Sequence, residues 1–194
     1  MNRVTLTDEL IIGKGRDRIC YRHPNDSRLC IKISVTNNKQ SVREARYFRF
    51  LSKSGSDTHL LSCYRGKVET NEGTGHLFDL ISDDNGEVSR TLTELFKNGS
   101  LSDKDIEKPI QQLNDYLVDN LICVRDISPS NIVYQRSGSG FKLMIIDGVS
   151  NPGVYPWTIR FKYFVKRAND KSWSSFHRKV QRLMTEQKQV LRAN

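Results

Sequence analysis

The apolar residues of this chain change period near its middle, and that change constrains the fold more than any other feature. Up to residue 81 they come in short runs rich in Ile, Leu, Val, Tyr and Phe, broken by Gly, Asn, Asp and Pro. Such runs are the pattern of antiparallel strands. Beyond residue 82 they mostly recur at steps of three and four, as on helices that bury one face. A chain divided in this way is α+β, with strands and helices segregated.

Three strands are expected within residues 9–35, from ELIIGKG, RICYRH and RLCIKISV, with PNDS marking the second break. A helix follows, with Ser41 as its N-cap and Val42, Ala45, Phe48 and Leu51 on one face. CYRGKVET and GHLFDLI, joined by NEGT, read as two further strands. The polar connector SDDNGE then separates residues 1–82 from 83–194. In the second part TLTELFKNG predicts a short helix ending at Gly99. Ser102 caps a longer helix to about Asn120, with Ile106, Ile110, Leu113 and Leu117 as its apolar stripe. IVYQ and FKLMIID read as strands around a Gly/Ser turn. The tail from Trp157 is expected to be helical, burying Phe161, Phe164, Ala168, Trp173, Phe176, Val180, Leu183 and Val190.

With 37% hydrophobic and 27% charged residues, the composition is that of a soluble globular chain, and no run approaches the ~18 apolar residues of a membrane helix. The first residues lack the features of a secretory signal, so a cytoplasmic protein is expected. Cys20, Cys30, Cys63 and Cys123 show no CxxC spacing and read as small buried hydrophobes in a reducing compartment. The charge is uneven. Of a net +9, the segment from Trp157 to Asn194 carries ten Lys or Arg against two acids.

Holding a polyphosphate requires backbone N–H groups or cations close to it, and a divalent metal on carboxylate and amide oxygens. Residues suited to each task occur in order. Gly13-Lys14-Gly15 lies between two strands, where missing Cβ atoms let the backbone close over a phosphate. Lys32 alternates with Ile31 and Ile33, so if those enter the core it faces the other way. Glu44 is the sole acid of the helix that follows. The loop VRDISPSN carries Asp126 and, five residues on, Asn131, with Pro129 stiffening the turn. Asp147 follows the run LMII. Taken singly, each has an ordinary explanation as a hairpin glycine, an edge lysine, a surface acid or a turn residue.

Taken in series they resemble the parts of a protein kinase. More narrowly, IIGKGRDRICYRHPND, RLCIKI, GKVETNEGTGHLFDLI, SRTLTEL and the SPSNI loop are similar to the PhoP regulatory network protein YrbL family. The resemblance implies a two-lobed kinase-like fold, with a small antiparallel-sheet N-lobe bearing one helix and a reduced, mainly helical C-lobe. It implies ATP and Mg²⁺ as cofactors. Lys32, oriented by Glu44, would hold the α- and β-phosphates under Gly13 and Gly15. Asn131 and Asp147 would hold the metal, and Asp126 would position the acceptor hydroxyl.

The chain departs from that pattern in five places. Arg18 stands where the third glycine would be. Val124 replaces the loop histidine, Ser128 the lysine two residues after the aspartate, and Gly148-Val149 the usual Phe-Gly. Only 47 residues follow Asp147, without an APE-like segment, so the platform that docks peptides is expected to be largely absent. These departures favour a small-molecule or other non-peptide acceptor, or autophosphorylation, and leave open a non-catalytic regulator that binds nucleotide or a partner. The tail's cations and aromatics could serve nucleic acid or an anionic membrane surface. Packing of its apolar stripe against the second lobe is the favoured expectation.

Overall fold

The structure is a computed structural model that describes residues 3–36, 40–151 and 161–193. Ile11–Lys14 (β1), Arg18–Arg22 (β2), Leu29–Ser34 (β3), Tyr64–Thr70 (β4) and Gly73–Asp79 (β5) form one antiparallel sheet in the order β1-β2-β3-β5-β4. The three early strands and the two later ones are as the sequence predicts. β3 lies at the centre, so Lys32 is not an edge lysine. Alternation along β3 sends Ile31 and Ile33 to one face, against Leu6 and Tyr21, and Cys30 and Lys32 to the other.

The helix Gln40–Lys53 (α1) buries Glu44, Ala45, Phe48 and Leu51. With Ser41 as its cap it would begin at Val42; it begins two residues earlier, so Ser41 lies inside its first turn and is not its cap. Val42 is 46% exposed. The buried face runs through positions 41, 44, 45, 48 and 51, and Val42 falls beside that stripe, not on it.

The remaining elements are Arg90–Thr91 (β6), Leu92–Lys97 (α2), Asp103–Asp119 (α3), Ile132–Ser137 (β7), Gly140–Ile145 (β8) and Lys162–Ala193 (α4). β6, β7 and β8 make a second antiparallel sheet. The two-residue β6 is too short to leave an apolar pattern. Thr91 and Glu94 close a capping box on α2. Asp105 accepts the Ser102 N–H at the start of α3, whose four stripe residues are all buried.

α4 packs on α2 and α3, burying Val165, Trp173, Phe176 and Val180. Phe161 and Phe164, expected inside, are 57% and 41% exposed. Val165 and Asn169 take the inward positions of that turn instead. Trp157 and Arg160 lie outside the described residues, as do the side chains of Lys188, Val190 and Arg192. Within the described residues no helix is long and apolar enough to cross a membrane, and the four cysteines are free. The chain is thus an α+β protein with antiparallel sheets and, among the described residues, four α-helices, and its largest core joins α1 and β5 to α2, α3, β7 and α4.

Candidate functional site

Two loops meet beneath the five-stranded sheet. One, 124–131, links α3 to β7, and the other, 146–149, follows β8. Arg125 N–H donates to the Gly148 carbonyl at 2.9 Å, and Ile146 N–H donates to the Asn131 carbonyl at 2.9 Å. Val124 and Val149 form a bridge. Gly148 has φ +82°, and a Cβ there would lie 2.8 Å from the Asp126 carbonyl oxygen. Only glycine lets the two backbones approach so closely. These backbone contacts join the loop that ends in Asn131 to the loop that carries Asp147.

α4 holds the first loop from the opposite side. Buried Asn169 accepts from Val124 N–H through Oδ1 at 3.0 Å and donates through Nδ2 to the Ile122 carbonyl at 3.0 Å. Ser172 donates to the Val124 and Arg125 carbonyls. Lys179 reaches Asp126 Oδ1 at 3.3 Å. Sequence reasoning missed these three residues. A signal for two of them exists, since Asn169 and Ser172 are polar residues in the register of Val165, Trp173, Phe176 and Val180. Val124 needs no polar side chain to support the loop, because Asn169 and Ser172 bond its backbone.

Four charges converge above the two loops. Lys32 Nζ donates to the Ile146 carbonyl at 2.6 Å and lies 4.3 Å from the centre of the Phe78 ring. Glu44 does not receive Lys32. It accepts two bonds from Arg18, at 2.6 and 3.2 Å, and the same guanidinium donates to Asp147. Gln40 donates to both carboxylates. The Lys32–Glu44 ion pair expected from the sequence is thus replaced by Arg18, whose planar fork fits two carboxylates at once. Burial opposes the Lys32 ammonium, but Asp147 and Glu44 outweigh it and its pKa stands above the ordinary value. Burial and the nearby Asp147 push the Glu44 carboxyl upward. Asp147 is held well below the usual carboxylate range despite burial, by Lys32 and Arg18.

A cleft of about 430 Å³ opens here, lined by Gly13, Gly15, Arg18, Lys32, Asn131 and Asp147 among others. Its apolar walls come from Ile12, Cys20 and Cys30 on the sheet side and from Val133 and Ile146 opposite. Glu44 touches the cleft only through Arg18. Asp126 does not line it. Its side chain is 59% exposed, one hydrogen bond away, where Asn131 Nδ2 donates to its Oδ2 at 3.2 Å.

That bond also bears on metal binding. With Nδ2 committed to Asp126, the Asn131 amide oxygen, which accepts only a long bond from Ser130 Oγ at 3.5 Å, has capacity left for a cation, and Asp147 supplies a carboxylate to the same cleft. Among the described residues no group of three His, Cys, Asp or Glu is gathered for a metal. Magnesium, however, commonly takes one or two protein oxygens and completes its shell with water and substrate phosphate. The donor set fits that ion.

The fold and this cleft define a class: an α+β protein whose central strand, first helix and two apposed loops bring paired cations and carboxylates to one crevice. The chain belongs to the PhoP regulatory network protein YrbL family, which matches residues 4–181. It is 33% identical over 181 residues to the Escherichia coli protein that bears the name "Uncharacterized protein YrbL", covering 89% of this chain and 86% of that one. A Shigella flexneri protein of the same name matches to the same extent.

Proposed function

We propose that this protein is a kinase-like phosphotransferase that uses ATP and Mg²⁺ to phosphorylate a non-peptide hydroxyl or itself. One observation carries this reading: Lys32, Asn131 and Asp147, from a strand and two separate loops, line a single cleft with Gly13 and Gly15. In this reading residues 1–82 form the nucleotide-binding lobe and 83–194 a reduced second lobe. The apolar walls suit a purine ring, and the glycine turn and Lys32 suit its α- and β-phosphates. Bound magnesium would neutralise charge on the transferring phosphate, with Asn131 and Asp147 as its protein ligands. The acceptor oxygen attacks the γ-phosphorus, the bond to the β-phosphate oxygen breaks, and ADP leaves. Asp126 orients the acceptor hydroxyl and takes its proton. Lys179 supplies beside Asp126 a cation that the loop itself lacks at Ser128.

Binding to the folded state alone raises stability. ATP with Mg²⁺ at a hundredfold excess over Kd therefore raises Tm by roughly 5–10 °C in a chain of this size, read by thermal shift. A flat response would refute the nucleotide site.

A second reading, a non-catalytic regulator that binds nucleotide, is favoured by the contact of Arg18 with Asp147, the carboxylate a metal would need. The two separate on transfer of labelled γ-phosphate to a panel of small hydroxyl compounds or to the protein itself. Binding without any transfer selects the regulator.

A further inference from the structure

We propose that Arg18 is the resident counter-cation of the cleft, which lets it take a nucleotide polyphosphate with little dependence on divalent metal. This deepens the nucleotide reading above and rests on it. Arg18 opens β2, and its carbonyl accepts from Gly15 N–H at 2.8 Å, so the glycine turn closes on the residue that carries the guanidinium. The side chain is only 8% exposed. It is fixed by Ser41 at 3.3 Å and Glu44 at 2.6 Å and by Asp147 across the cleft.

The charges decide the consequence. Lys32, Glu44 and Asp147 alone would sum to one negative charge, which invites a cation. Arg18 brings the sum to zero, and its guanidinium cannot deprotonate at any working pH. A divalent ion approaching Asp147 alone meets Arg18 and Lys32, two like charges in a poorly solvated site. A metal-free polyphosphate meets the same two cations as partners. In a purely structural salt bridge Arg18 would face the protein alone. Here it lines the cleft beside Lys32 and Asn131.

The test is calorimetric titration of the full chain with ATP, once in EDTA and once in saturating Mg²⁺. For the wild type the two dissociation constants are expected to agree within about threefold. In Arg18→Gln the metal-free affinity is expected to fall about tenfold, the scale of one charge-assisted contact, and affinity with Mg²⁺ to fall by less. Arg18→Lys, which retains the charge but not the fork, is expected to bind metal-free ATP more tightly than Arg18→Gln does. A wild type that requires Mg²⁺ to bind overturns the proposal, and that measurement needs no variant to fold. Metal-free binding by Arg18→Gln equal to or tighter than wild type overturns it as well, making Arg18 a plug and not a partner. Absence of ATP binding by the wild type under both conditions takes down the nucleotide reading and this proposal together. Either of the other failures leaves the nucleotide reading standing.

Discussion

Asp126 and Asp147 are both turn aspartates, and their surroundings give them different tasks. Asp147 is held ionised by Lys32 and Arg18, whereas Asp126 stands exposed with Asn131 and Lys179. Asp126→Asn keeps the loop's backbone contacts and removes a proton acceptor together with the charge that faces Lys179. Phosphate transfer is expected to fall at least about a hundredfold while the ATP-dependent rise in Tm is unchanged; a variant that transfers normally would remove Asp126 from the chemistry. Gly148→Ala tests the apposition of the loops. With φ +82° and the Asp126 carbonyl at 2.8 Å from the new methyl, it is expected to cost about 1–3 kcal/mol in urea unfolding. At this scale the sequence showed Lys32 plainly, because strand alternation fixes its side. It could not show where Arg18 goes, since a long side chain at the end of a turn can reach either lip of a cleft. Nor could it pair Glu44, because helical spacing says which face a residue is on and not which cation crosses to it.

Among the elements, α4 does what the local sequence of the 124–131 loop does not. Asn169 satisfies the Val124 N–H and the Ile122 carbonyl within the core. Asn169→Ala leaves both buried and unpaired, at a cost of about 2–4 kcal/mol measured by chemical denaturation. Lys179→Met removes a half-exposed ion pair and should change stability by less than about 1 kcal/mol. The contrast is informative, since a helix that merely covered the core would be as tolerant at 169 as at 179. Most elements were legible because strand and helix periods are local properties of the chain. The α3 stripe and the cap at Ser102 needed no tertiary information. Phe161 and Phe164 were misassigned for the converse reason: three- and four-residue steps fit two adjacent faces of the first turn of α4, and the loop bonded by Asn169 selects the one through Val165.

For the molecule as a whole, His76 and Asp147 each lose stability as pH falls, in separate windows, while Glu44, whose carboxyl is pushed upward, contributes with the opposite sign. His76 lies on β5 opposite Lys32 on one side and Lys67 on the other, is 7% exposed, and its Nδ1 has no hydrogen-bond partner. Burial first, then Lys67 and Arg18, hold its pKa below the ordinary 6.5. The unfolded chain therefore takes up this proton before the folded one does. The stability associated with neutral His76 is complete above about pH 6.5 and declines as pH falls below it, by no more than about 1.4 kcal/mol per pH unit for one proton. Asp147 acts lower. Its depressed folded pKa means that its contribution is complete above the unfolded value near pH 4 and is lost only as pH falls further, toward the folded value. The urea midpoint is thus expected to decrease first between pH 6.5 and 5 and again below pH 4. His76→Gln, which cannot take up the proton, should flatten the first decrease and leave the second. If His76→Gln shows the same pH profile as the wild type from pH 7.5 to 5, His76 is not a group that carries it, and Lys67 and Arg18 do not destabilise its protonated form in the folded protein.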